Sequence, residues 1–254
     1  MKLRQCLELI SYRALAELRR GASGMYLGMF WWVLEPLLYM AVFYVVFGMG
    51  LKKGGIEFVF YLLCGLIPWK WLDSTVRTAS GVILSSVGLM QQVYFPKWLL
   101  PAYIVVANTY KFFIVLFLLV AALILCGIYP TTSWSFLPIL VTVQFLLVLC
   151  MSLAAAAVVP LVPDLRYAVQ YGMTMLFFLS GVFFNVAELE EPVKSWLLWI
   201  PTVQLIEAYR GLFLDNKIPD WISVGRVLFS AGIFGMFGVL LLLCFDRYYP
   251  RTVK

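Results

Sequence analysis

Three ionisable side chains, Lys70, Asp73 and Arg77, fall inside one short stretch, WKWLDSTVR, of a chain whose neighbouring residues read as a membrane span. At 100° per residue they lie within about 60° of one another, on one helical face. A charge at the bilayer centre costs roughly 2.5–3.5 kcal/mol on insertion scales, so a face carrying three of them does not point at lipid. Two readings stand. The face lines a wet path for a polar substrate in the cytoplasmic half of the span, or Lys70 and Arg77 snorkel to the headgroups while Asp73 pairs with one of them at i−3 or i+4.

Other candidates are scattered along the chain. Lys111 sits deep in an apolar run with Asn108 one turn before it, and Glu35 precedes Pro36 in another. Each is either a functional group or a partner in helix–helix hydrogen bonding. Trp32, Trp69 and Trp71 lie in or near the same runs, and indole faces suit sugar rings, whose C–H faces stack on them while the hydroxyls stay wet. Aromatic belts at the membrane interface are the plainer account of such residues. We take Lys70, Asp73, Arg77, Lys111, Trp69, Trp71 and Trp32 as the candidate substrate path.

Absences narrow the chemistry. The chain has no histidine, which removes imidazole acid–base catalysis and histidine metal sites. Its cysteines, Cys6, Cys64, Cys126, Cys150 and Cys244, show no CxxC spacing and read as small hydrophobes. No GxxxxGK[ST], HExxH or GxSxG occurs, so neither a P-loop nor a hydrolase motif is present, and no metal or cofactor is expected in this chain.

The elements that must position these residues follow from composition. With 254 residues, 63% hydrophobic and 13% charged, the chain reads as an all-α polytopic membrane protein. Six spans are expected at about 26–48, 58–84, 98–128, 136–160, 167–186 and 222–245. Before them, residues 1–25 form an amphipathic helix with Leu3, Leu7, Ile10, Ala14 and Leu18 on one arc and charged residues on the rest, which reads as an interfacial helix, with a coiled-coil or partner-docking helix as the alternative, and not as a cleaved signal. Residues 26–254 form the membrane domain. With the N-terminus inside, inner segments carry ten Lys and Arg against five outside, so both termini are expected in the cytoplasm. The same distribution explains the net charge of +6 without nucleic acid.

Two connections stand out. Residues 85–97 form a short, apolar and amide-rich inner segment. Residues 187–221 form a long outer segment whose two apolar pieces, VKSWLLWI and VQLIEAY, are split by Pro201 and are each too short to cross, so re-entrant half-helices before the last span are expected.

Taken in order, YLGMFWWVLEPLLYMAVFYVVFG, YLLCGLIPWKWLDS, QQVYFPKWLLP, VPDLRYAV and IPTVQLIEAYRGLFLD resemble the permease subunit of bacterial polysaccharide ABC exporters, the group that moves O-antigens, capsules and teichoic acids. The similarity covers nearly the whole chain. The family's G-L-x-P-W signature falls on Gly65, Leu66, Pro68 and Trp69, and its V-x-F-P-[KR] signature on Val93, Phe95, Pro96 and Lys97. The R-D-[LI] element appears as Pro163, Asp164 and Leu165 with the arginine displaced to Arg166. The N-P element appears as Ile200 and Pro201, and Arg210 fits the arginine that follows.

The resemblance implies a homodimer in the bacterial inner membrane, paired with two copies of a separate ATPase that binds the ATP and magnesium. It implies a lipid-pyrophosphate-linked polysaccharide as substrate. It further implies coupling to the ATPase through Gln91, Gln92, Val93, Tyr94, Phe95, Pro96 and Lys97 with Arg19 and Arg20 of the first helix, and an outer gate holding Trp196, Trp199, Pro201, Glu207 and Arg210. Three rivals remain: a small-molecule efflux permease, a passive channel and a membrane-embedded transferase. The last needs acids to bind metal or act as base, and the cluster of Glu188, Glu190 and Glu191 contains no DxD motif.

Overall fold

The computed structural model describes residues 3–23, 28–46, 56–92, 95–246 and 249. Every regular element among them is helical. The helices are α1 (Leu3–Ser23), α2 (Trp31–Phe43), α3 (Ile56–Ser80), α4 (Val82–Ser85), α5 (Val87–Gln92), α6 (Leu99–Leu125), α7 (Leu137–Val158), α8 (Leu165–Leu179), α9 (Val193–Leu197), α10 (Pro201–Phe213) and α11 (Trp221–Cys244). Two prolines sit where a helix tolerates them best, Pro138 in the first turn of α7 and Pro201 at the start of α10, where the missing N–H has no intrahelical partner to lose, while Pro36 and Pro68 lie inside α2 and α3.

Helix α3 is the centre of the bundle and packs on α6, α7, α8 and α10. Its buried residues, among them Leu62, Leu63, Cys64, Leu66, Trp69 and Leu72, share one apolar core with Leu140 and Leu147 of α7 and with Ile206, Tyr209 and Phe213 of α10. Helix α11 lies along α7 at close range. A Cβ on Gly238 would come within 2.6 Å of the Ala154 backbone nitrogen, and one on Gly235 within 2.8 Å of the Cys150 sulfur. Small residues let the two backbones touch, the usual device where apolar burial alone cannot bring helices together.

A second cluster closes the other end of the core. Val87, Met90 and Phe95 pack there with Ile83, Leu99, Leu242 and Tyr249. The Tyr249 hydroxyl donates to the Ala157 carbonyl at 3.0 Å. Helix α1 docks on α6 through Cys6, Ile10, Ala14 and Leu18, spaced four apart. That stripe differs from the arc expected from the sequence, since Leu7 is 58% exposed. Packing against a straight neighbour follows the i, i+4 ridge, and the contact of Ala14 with Ala107 fixes which ridge it is.

Among the described residues, three helices are long and apolar enough to cross a membrane: Leu99–Leu125, Thr132–Val158 (which includes a preceding 3-10 turn) and Trp221–Cys244. These match the expected third, fourth and sixth spans. The other three expected spans differ from expectation. The first is an apolar helix over Trp31–Val46, with 24–27 and 47–55 outside the described residues. The second, α3, has 25 residues but carries the charged face. The fifth, expected to reach 186, ends as a helix at Leu179. At 1.5 Å per residue its 15 residues rise about 22 Å, short of a roughly 30 Å hydrocarbon core. The chain turns there because Gly181 adopts φ +72°, open to glycine and not to its bulkier neighbours.

Candidate functional site

The charged face of α3 divides between two neighbours. Lys70 turns toward α2, where its Nζ lies 2.5 Å from Glu35 Oε1 and 4.9 Å from the centre of the Tyr39 ring. Asp73 and Arg77 pair with each other at 2.6 Å, and Arg77 Nη2 donates to Thr174 Oγ1 of α8 at 3.0 Å. The three residues therefore do not line one surface: Lys70 joins α3 to α2, and the i, i+4 pair joins α3 to α8.

Between α2, α3 and α6 lies a cleft of about 360 Å³. Trp31, Trp32, Glu35 and Tyr39 form one wall, Lys70, Ser74 and Thr78 a second, and Asn108 and Lys111 a third. The Lys111 ammonium sits 5.4 Å from the centre of the Trp32 ring. Trp71 borders the cleft but is buried, stacked at 4.1 Å on Phe112, so it serves as a support more than a platform. Trp69 does not reach the cleft. It is buried against Phe177, ring centres 5.6 Å apart, and belongs to the core.

Of the expected path residues, the fold thus gathers Lys70, Lys111, Trp32 and the edge of Trp71, and places Asp73, Arg77 and Trp69 elsewhere. It adds Glu35, Tyr39, Ser74, Thr78 and Asn108. Glu35 and Asn108 were visible in the sequence as polar residues in apolar runs. Nothing in the spacing showed that Glu35 would meet a lysine 35 positions away.

The segment at 85–97 has an exposed and a buried side. Gln91 and Gln92 at the end of α5 are exposed, while Val93 and Tyr94 lie outside the described residues. Phe95 is only 8% exposed and packs inside the chain. Pro96 is half-buried, and the buried Lys97 holds Asp246 at 2.9 Å. Phe95 and Lys97 therefore brace the segment from within, and the side open to another protein is that of Gln91 and Gln92. On α1, Arg19 and Arg20 are exposed, with Arg20 paired to Glu17 at 2.6 Å.

In the segment at 187–221 Pro201 begins α10, as its position between two apolar pieces suggested. Trp196 and Trp199 are exposed, and the Arg226 guanidinium lies 5.5 Å from the Trp199 ring centre. Arg210 is 3% exposed. Its Nη1 donates to the Gly181 carbonyl at 2.8 Å, its Nη2 to that of Val182 at 2.7 Å and its Nε to that of Tyr61 at 3.2 Å. The guanidinium also stacks 3.6 Å from the Tyr61 ring and pairs with Glu207 at 3.1 Å. A planar five-donor group is suited to such a task, since it can satisfy several fixed carbonyls at once. Gly65 makes room for it: a Cβ there would stand 3.0 Å from Arg210 Nη2 and 3.1 Å from Ile206 Cγ2.

No family model matches the chain. It is 29% identical to the O-antigen export system permease protein RfbA of Myxococcus xanthus over 221 residues, 84% of this chain and 85% of that one. To a protein of the same description from Klebsiella pneumoniae it is 23% identical over 209 residues, 82% of this chain and 80% of that one. To the polysialic acid transport protein KpsM of Escherichia coli it is 26% identical over 216 residues, 83% of each chain. Along most of its length, the chain is similar to polysaccharide export permeases.

Proposed function

We propose that this chain is the permease subunit of an ABC exporter that moves a lipid-linked polysaccharide, an O-antigen in the first instance, from cytoplasm to periplasm. The observation that carries the reading is the ionised face that α3 holds inside an apolar bundle, in a chain similar to export permeases over most of its length. Polar groups in such a bundle need a polar substrate or water to justify their cost.

On this reading α2, α3 and α8 complete a six-span fold in the inner membrane, with both termini cytoplasmic and two copies of the chain forming the path. A separate ATPase, holding ATP and magnesium, docks at Gln91, Gln92 and the Arg19–Arg20 end of α1. Movement there reaches the bundle through the Lys97–Asp246 pair. The outer helices α9 and α10 cover the path, with Trp196 and Trp199 facing away from the core. Capsular or teichoic acid polymers are the neighbouring substrates, and a small-molecule efflux permease is the competing transporter class.

Deleting the gene and probing surface glycan by immunoblot tests the reading. Loss of surface polymer, with lipid-linked polymer accumulating inside and restoration by the intact chain, is the expected result. Unchanged surface glycan together with altered sensitivity to small toxic compounds would favour efflux instead.

A further inference from the structure

The cleft between α2, α3 and α6 has an unbalanced charge and an unused amide. Of its three ionised side chains, Glu35 and Lys70 neutralise each other at 2.5 Å. Lys111 has no carboxylate within ion-pair distance among the described residues. The two acids whose charge reaches it, Glu17 and Glu35, are held by Arg20 and Lys70. One turn earlier, Asn108 is 7% exposed, lines the cleft and has no hydrogen-bond partner among the described residues. Its amide is not among the fully buried polar atoms, so it reaches the cleft and is available to a ligand that enters there. The Trp32 ring beside Lys111 softens the charge without neutralising it.

We propose that this cleft binds the phosphate headgroup of an anionic lipid, with Lys111 as counter-ion and Asn108 as hydrogen-bond donor. A phosphate offers both a negative charge and several acceptor oxygens, which is the pair of functions left unmet. The volume, about 360 Å³, suits a headgroup and is too small for a folded glycan. Beyond Lys111 the α6 surface continues apolar and exposed through Ile114, Phe117 and Leu118, a course along which an acyl or polyprenyl chain can lie. The inference rests on reading the chain as a membrane permease; which cargo it exports does not enter.

The full chain, purified in neutral detergent, is offered phosphatidylglycerol, a polyprenyl phosphate and phosphatidylcholine in separate arms, and bound lipid is counted by native mass spectrometry. One anionic lipid is expected to remain bound at least tenfold more than phosphatidylcholine. Lys111→Met should cut that excess at least tenfold, Asn108→Ala by about threefold, and Lys111→Arg should keep it. Lys217→Met, on the outer surface, should behave as wild type. If Lys111→Met does not fold, the Asn108→Ala and Lys111→Arg pair carries the comparison. Preference for polyprenyl phosphate identifies the carrier of an exported polymer, and preference for phosphatidylglycerol identifies bulk lipid. Absence of any anionic excess in wild type, or an equal excess in Lys111→Met and Asn108→Ala, overturns the site. Because no transport is measured, loss of the export reading in the deletion experiment leaves this result standing, and the reverse also holds.

Discussion

At the scale of single residues, Arg210 decides between readings that its spacing from Glu207 leaves open. At i, i+3 the two could pair within the helix, hold it against the rest of the chain, or form a surface pair worth under about 1 kcal/mol. The guanidinium is buried and holds the carbonyls of Tyr61, Gly181 and Val182. Arg210→Ala is therefore expected to cost about 3–5 kcal/mol, the range for breaking a buried charged network. A thermal melt of the purified chain should show it unfolded or strongly destabilised, and a folded, merely leaky variant would disprove the staple. Arg210→Lys should also fail to restore the wild-type melt, because one ammonium cannot reach three carbonyls of fixed geometry. Gly65→Val tests the same contact from the α3 side, where the added methyls have no space beside Arg210 and Ile206. The sequence showed that a glycine and an arginine occupied motif positions. It did not show that one stands against the other, since helical periodicity carries no record of which distant helix packs on a face.

At the scale of elements, most of what was legible was local. Pro201 begins a helix and the long apolar runs are helices, because chain stiffness and burial act within a few neighbours. The ends were harder. Helix α8 stops at Leu179 for reasons held in the following turn, and Phe95 proved to be core packing where an apolar residue in a short loop had suggested an outward contact. Phe95→Asp is thus expected to lower the yield of folded chain, by several kcal/mol for a charge placed without a partner in the second cluster. Gln92→Asp, on the exposed side, should leave the melt unchanged and weaken ATPase binding in a pull-down. The opposite pattern would return Phe95 to the docking surface. Helix α11 starts with a cap at Asp220, whose carboxylate accepts from the Ser223 hydroxyl at 2.9 Å and from the backbone N–H groups of Ile222 and Ser223. These bonds, led by the Ser223 hydroxyl, hold the Asp220 carboxyl below the usual carboxylate range. The stabilisation is present at and above the ordinary carboxylate pKa and is lost as pH falls through the lower folded value. Asp220→Ala should cost about 1 kcal/mol at neutral pH, and the gap from wild type in a pH series of melts should close only in strong acid.

At the scale of the whole molecule, a close backbone contact joins α7 to α11, with Ala154 lying where a side chain on Gly238 would have to be. Gly238→Leu should push the two helices apart and leave a chain that inserts into the membrane but is cleared by proteases, measurable as a shortened half-life with normal membrane fractionation. The same contact sets an order of events during synthesis. The groove on α7 around Cys150 and Ala154 is made long before the helix that fills it, and the Lys97 and Ala157 carbonyl partners wait for Asp246 and Tyr249 in the same way. Until the ribosome has delivered α11, the growing protein holds an open seam on α7 and lacks the carboxylate that meets the buried Lys97. A chain that stops before α11 never closes that seam, so the arrival of α11 gives the cell's quality control a natural checkpoint between an unfinished product and a folded one.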